Sequence, residues 1–173
     1  MRDLPRRPRW LPPVSLGLSV LGLAVSIYLT YEHFTGSSTL ACSGSGQVDC
    51  LKVTTSQWSK LFGIPVAMLG LLFFVAMTAL CLPPVWRRAP RWVDLARIAA
   101  TGVGLVMVFY LIWAEFFRIH AICLWCTGVH VITFVLFFVL VFGLLFTDPP
   151  ELVAEDDDSD VVDHDSATSR RAD

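Results

Sequence analysis

The chain has 173 residues, 55% of them hydrophobic and 16% charged. Soluble domains run to about a quarter charged, so a water-surrounded globule is excluded over most of the length, and the absence of a basic patch interleaved with aromatics excludes a nucleic-acid surface. The charges are also segregated: ten of the fifteen acidic residues fall in 148–173, and Arg2, Arg6, Arg7 and Arg9 precede Trp10.

A membrane crossing needs about 20 mainly apolar residues, and four stretches meet that need. After a basic arm, residues 1–13, the first span is 14–31, uncharged throughout. The second is 61–82, also uncharged. The third is 98–117, with one acid, Glu115, near its end. The fourth is 121–146, uncharged, with His130 within it. Residues 14–146 therefore read as one all-α, multi-pass membrane domain. Residues 147–173, acidic and poor in aromatics, read as a solvated cytoplasmic tail without order of its own.

Basic residues orient these spans. The arm and the connection carrying Arg87, Arg88 and Arg91, with Arg97 just beyond, are rich in arginine. The long connection 32–60 has only Lys52 and Lys60, and the last connection only Arg118. Both termini are expected in the cytoplasm, with the first and third loops outside. A cleaved signal peptide would need a small-x-small site close behind the first span, and none follows. A lipidated Cys42 would adjoin the apolar run, but Glu32 and His33 intervene.

Five cysteines occur, and their placement on this topology carries the chemistry. Cys42 and Cys50 lie in the first outside loop; Cys123 and Cys126 form a CLWC sequence where the fourth span begins outside. Disulfides persist on that side of a membrane. Cys81, at the inner end of the second span, reads as a small buried hydrophobe. A Cys-x-x-Cys at the first turn of a helix places both sulfurs on one face, and the helix terminus favours the thiolate. Such a bridge can open and close, and at the edge of the hydrocarbon a lipid-soluble oxidant reaches it. Cys42 and Cys50 flank SGSGQVD, a Gly- and Ser-rich segment suited to swinging between a soluble partner and the helix-borne pair. The plainer alternatives are two structural staples, or a four-cysteine zinc site, for which C-x7-C with C-x2-C is irregular spacing. A transporter is disfavoured because no span has a Gly/Pro-broken centre or paired midplane charges.

His130 lies four residues after Cys126, so both side chains point the same way from the helix. It is expected either to serve an electron acceptor, by hydrogen bond or proton, or to be satisfied by a neighbouring helix. Glu115 and Arg118 are expected to form an ion pair on the helix surface. Trp58, Trp113 and Trp125 fall near the outer boundary, where amphipathic rings collect.

Taken together, Cys42, Cys50, Ser56, Phe62-Gly63-Ile64-Pro65-Val66, Gly70 and Cys123-Leu124-Trp125-Cys126 resemble the vitamin K epoxide reductase family in its bacterial disulfide-forming branch, over residues 16–146. The resemblance implies a four-helix bundle around a quinone (menaquinone or ubiquinone), capped by a short outside loop helix, in a bacterial inner membrane. It also implies roles. Cys126 faces the quinone, Cys123 bridges to it and is attacked by Cys50, Cys42 meets the soluble partner, and Ser56 supports the quinone end of the site. The activity implied is reoxidation of a secreted thioredoxin-like protein with reduction of the quinone, and no metal is implied. Many bacterial members carry a fused thioredoxin-like domain, whereas here the acidic tail follows the fourth span, so a separate partner is expected. Animal members have a tyrosine where this chain has His130, and an asparagine where it has Ala79.

Overall fold

The computed structural model describes residues 7–35, 48–61, 63–88 and 90–145. Cys42 and the acidic tail lie outside the described residues. The described chain is mostly helical, and its elements follow from where glycine and proline interrupt the apolar runs.

Helix α1 (Leu11–Thr35) carries Pro12 and Pro13 in its first turn, where a missing N–H costs nothing. Its buried positions include Ser15, Ser19, Gly22, Ser26 and Leu29, a stripe of mostly small residues that lets a neighbouring helix approach closely. Hydroxyls along this helix bond back to it, Ser19 Oγ to the Ser15 carbonyl at 2.8 Å and Thr30 Oγ1 to that of Ser26 at 2.7 Å. Phe74 fills the space left at Gly22: a Cβ there would stand 2.1 Å from the phenyl ring.

The short helix α2 (Cys50–Thr55) and a 3₁₀ turn at Gln57–Ser59 precede a minimal hairpin, β1 (Lys60–Leu61) paired antiparallel with β2 (Ile64–Pro65). Gly63, at φ 83°, makes the reversal, a conformation other residues reach at a cost. Helix α3 (Val66–Leu80) begins only after Pro65. This corrects the expected second span: Leu61, Ile64 and Pro65 belong to the hairpin, and the 15-residue helix measures about 22 Å at 1.5 Å per residue, against a hydrocarbon core of ~30 Å.

Helix α4 (Pro83–Arg88) leads to α5 (Arg91–Ala114), which is continued by a π turn, Glu115–Ile119, and ended by His120 in the left-handed conformation at φ 52°. Helix α6 (Leu124–Leu145) follows. Among the described residues, three helical stretches are long and apolar enough to cross a membrane: Leu11–Thr35, Arg91–Ile119 and Leu124–Leu145. Helix α1 packs against α3 and α6, and α5 against α6 and α3.

Helix α5 starts seven residues before the predicted third span because its polar first turns are neutralised. Arg97 is fully buried. Its guanidinium bonds Asp94 and the Leu80 carbonyl and lies 3.6 Å from the centroid of the Trp86 ring. Arg7 adds a second ion pair to Asp94 and donates to the Trp86 carbonyl. Cys81 is a free, fully buried thiol beside this cluster, packed with Leu11, Phe74 and Met77.

Candidate active site

The site lies at the other end of the helices, where α1 and α5 finish and α3 and α6 begin. Its first determinant is a tether. Val48 forms a parallel bridge with Ile122, and the Asp49 N–H donates to the Ile122 carbonyl at 3.2 Å. Two residues of the long loop are thereby fastened to one residue, Ile122, just ahead of α6. Asp49 also caps α2, its carboxylate accepting from the Lys52 N–H at 2.9 Å, as acidic caps do. Cap and tether together fix Cys50 at the first position of α2.

Cys50 and Cys123 are both fully buried, and both belong to an apolar cluster with Val53, Ala114, Ile119 and Ala121. Trp58, Trp125 and Cys126 pack against it. Cys50 is disulfide-bonded, whereas Cys123 and Cys126 are free thiols. Trp125 leans on Tyr28 of α1, ring centroids 4.9 Å apart.

Helix α6 begins at Leu124 rather than at Ala121, so Cys123 stands just outside it and caps it. Its Sγ accepts the Cys126 N–H at 3.3 Å, and its carbonyl accepts the Thr127 hydroxyl at 2.9 Å. An unpaired N–H of a helix's first turn is an electrostatic partner for a thiolate. The Cys126 thiol, hydrogen-bonded to it, and the Cys126 N–H together hold the Cys123 thiol below its ordinary range, against burial and the nearby Glu115 carboxyl, which push it up.

Cys126 opens onto a cavity of about 610 Å³ with mainly apolar walls. His130, one turn further along α6, lines the same cavity and is 6% exposed. Thr54 and Trp58 from the loop segment line it too. Ser56 is not among its described lining residues; it closes the end of α2, its hydroxyl donating to the Val53 carbonyl at 2.9 Å and its own carbonyl accepting from Ser59.

Glu115 departs from expectation. No ion pair with Arg118 forms among the described residues. The π turn has a wider winding than an α-helix, so residues three apart no longer face together. Glu115 turns inward, 4% exposed, onto the cavity wall, near enough for its carboxyl to act on the Cys123 thiol through space. Arg118 lies instead 5.1 Å from the Trp58 ring centroid and 5.3 Å from that of Trp113. Sequence reasoning passed over Glu115 although the signal was there: an acid inside an apolar span is expensive and marks function by default.

Comparison with known proteins fits this geometry. The model of the vitamin K epoxide reductase family matches residues 13–141. Vitamin K epoxide reductase complex subunit 1 of Mus musculus is 25% identical over 143 residues, covering 71% of this chain and 85% of that protein.

Proposed function

The chain belongs to the vitamin K epoxide reductase family, and on that premise we propose that it is a membrane thiol–quinone oxidoreductase that drives disulfide formation outside the cytoplasm. Membership makes it a membrane oxidoreductase; the substrates and the route are the reading argued here. One observation carries it: Cys50, Cys123 and Cys126 converge on a single buried cluster that walls an apolar cavity. The cavity lies within the about 300–1,000 Å³ of small-molecule pockets, and its apolar sides suit a ring with an isoprenoid tail. His130 supplies a polar group for a ring oxygen. A bound quinone, menaquinone or ubiquinone, accepts two electrons and two protons.

In this reading α3 is a fourth, short crossing, extended toward the surface by the β1–β2 hairpin, and the four crossings form a bundle. Helix α2 and the 3₁₀ turn lie over the mouth as its cap, with Ser56 holding that cap in shape. The arginine-rich arm and α4 mark the cytoplasmic side of a bacterial inner membrane, which puts the cysteines outside. The partner is a separate secreted thioredoxin-like protein.

The relay runs through disulfide exchange, in which a thiolate attacks a disulfide sulfur directly. A thiolate of the partner attacks the Cys42–Cys50 bridge at Cys42, and the partner leaves oxidised. Cys50 then attacks Cys123 of a Cys123–Cys126 bridge and frees Cys126. Cys42 resolves the Cys50–Cys123 link, so Cys50 is again bridged and Cys123 and Cys126 are thiols. Closing the Cys123–Cys126 bridge releases two electrons and two protons into the cavity.

The test is to mix full-length protein anaerobically with a reduced thioredoxin-like partner and a short-chain quinone, following quinol absorbance and mapping disulfides by mass spectrometry. Cys126→Ala is expected to accumulate the Cys50–Cys123 link and to form no quinol. A variant that shows only an unchanging bridge at Cys50 would reduce the outside cysteines to structural staples.

A further inference from the structure

Resting on that relay, the geometry points to Glu115 as the proton carrier between the Cys123 thiol and the cavity. Three placements converge on it. It lies beside Cys123, the residue whose thiol must lose a proton when the bridge closes: the Ala121 N–H donates to the Glu115 backbone carbonyl at 3.3 Å, and the Glu115 carboxyl acts on the Cys123 thiol through space. It forms part of the cavity wall together with Cys126 and His130, so it also borders the space where that proton is needed. And it is 4% exposed with no ion pair among the described residues, while Arg118, the nearest cation in sequence, is held between two tryptophan rings. A carboxylate kept in apolar surroundings without a counter-charge is costly.

The step balances as follows. The Cys123 thiol gives its proton to the Glu115 carboxylate as the Cys123 sulfur bonds to that of Cys126. The electron pair released by forming the S–S bond passes from Cys126 to the acceptor. Glu115 then gives the proton to a ring oxygen, and the second proton is the one Cys126 carried. Two thiols become one disulfide, the acceptor gains two electrons and two protons, and Glu115 returns to its carboxylate. The other titratable groups facing this space are His33 of α1, Tyr110 of α5 and Cys126 and His130 of α6. Helix α3 has no titratable side chain at all, and Cys50 of α2 is held in its disulfide.

Glu115→Gln keeps the size and polarity of the side chain, but the amide cannot take the thiol proton. In single turnovers of the dithiol form with a short-chain quinone, quinol formation is expected to fall by about 100-fold near neutral pH, within the range of acid–base catalysis. The deficit should narrow as pH rises, when hydroxide takes the thiol proton, and Glu115→Asp should restore part of the rate. Partner thiol exchange, which precedes this step, should be unaffected. A second readout needs no acceptor: infrared difference spectra between the oxidised and dithiothreitol-reduced protein should contain a shifted carboxylate band that Glu115→Gln removes, because the Cys123 thiol beside Glu115 exists only in the reduced form. A pH-independent deficit, an undiminished rate, or a bridge that opens and closes without that band overturns the inference. If the band is present but the wild-type protein forms no quinol, the choice of acceptor fails while the coupling of Glu115 to the thiol pair stands.

Discussion

The two ends of the helices bury polar groups in opposite ways. At one end Arg7, Asp94, Arg97 and the Leu80 and Trp86 carbonyls satisfy one another, with the Trp86 ring packed on the Arg97 guanidinium. At the other, Glu115, Cys123, Cys126 and His130 surround or adjoin a cavity of about 610 Å³, and their bonds to one another are few and local. Both arrangements place charge or polarity where it is costly. Only the second leaves side chains facing a space that another molecule can enter. Burial of polar groups by itself therefore does not identify a site in this protein; an adjoining cavity does.

Replacing one member of each end should separate stability from chemistry, and the largest stability effect belongs to the closed end. Arg97→Met removes the guanidinium from a buried network and leaves the Leu80 carbonyl without its donor. Breaking a buried pair costs about 3 kcal/mol or more, read as a shift of the denaturation midpoint in detergent micelles. Quinol formation per folded molecule should be unchanged, because α5 is disturbed at its far end from Glu115. A normal midpoint with lost activity would reverse the assignment of the two ends. Replacing Asp94 by Leu together with Arg97→Met should recover much of the loss, since a whole buried pair exchanged for apolar groups is often neutral.

A sharper division comes from Gly22, which lies between the two ends. Phe74 occupies the position of the missing Cβ at 2.1 Å, so Gly22→Ala forces α1 and α3 apart or turns a fully buried ring. Overpacking of this kind costs about 1–3 kcal/mol. Because the same two helices wall the cavity further up, through Ser26 and Gly70, activity should fall along with stability. Phe74→Leu in the same chain should restore both. Loss of activity that Phe74→Leu leaves uncorrected would mean that the two regions are not mechanically continuous.

Much of this arrangement is written in local sequence, and the exceptions have a common cause. The apolar runs gave three of the expected crossings, because length and hydropathy suffice where nothing interrupts a helix. The cysteine positions were legible because CLWC adjoins an apolar run and because Cys50 stands after a Gly- and Ser-rich stretch. The start of α3 was misread, since Leu61, Ile64 and Pro65 are as apolar as the helix that follows and hydropathy does not register a reversal at Gly63. The direction of Glu115 was misread for a different reason: it was assigned to the helix surface from its charge, whereas its orientation depends on a π turn. The burial of Arg97 depends likewise on Asp94 and Trp86, which no local pattern around it announces. The tether from Val48 and Asp49 to Ile122 is a contact between distant residues, and no local pattern announces it.

The smallest effect should come from Ser56, and it tests how much of the open end depends on the cap above it. Its hydroxyl donates to the Val53 carbonyl at 2.9 Å and its carbonyl accepts from Ser59, so Ser56→Ala removes one hydrogen bond at the end of a six-residue helix. Such a bond contributes about 1 kcal/mol net, and global unfolding should move by that much or less. Val53 and Thr54 nevertheless line the cavity from this helix, so loosening its last turn should admit water and weaken retention of a ring there. The expected outcome is a KM for quinone raised a few-fold with kcat nearly unchanged. A fall in kcat without a change in KM would place Ser56 in the chemical step itself, and the loop helix would then be part of the reacting site rather than a cover over it.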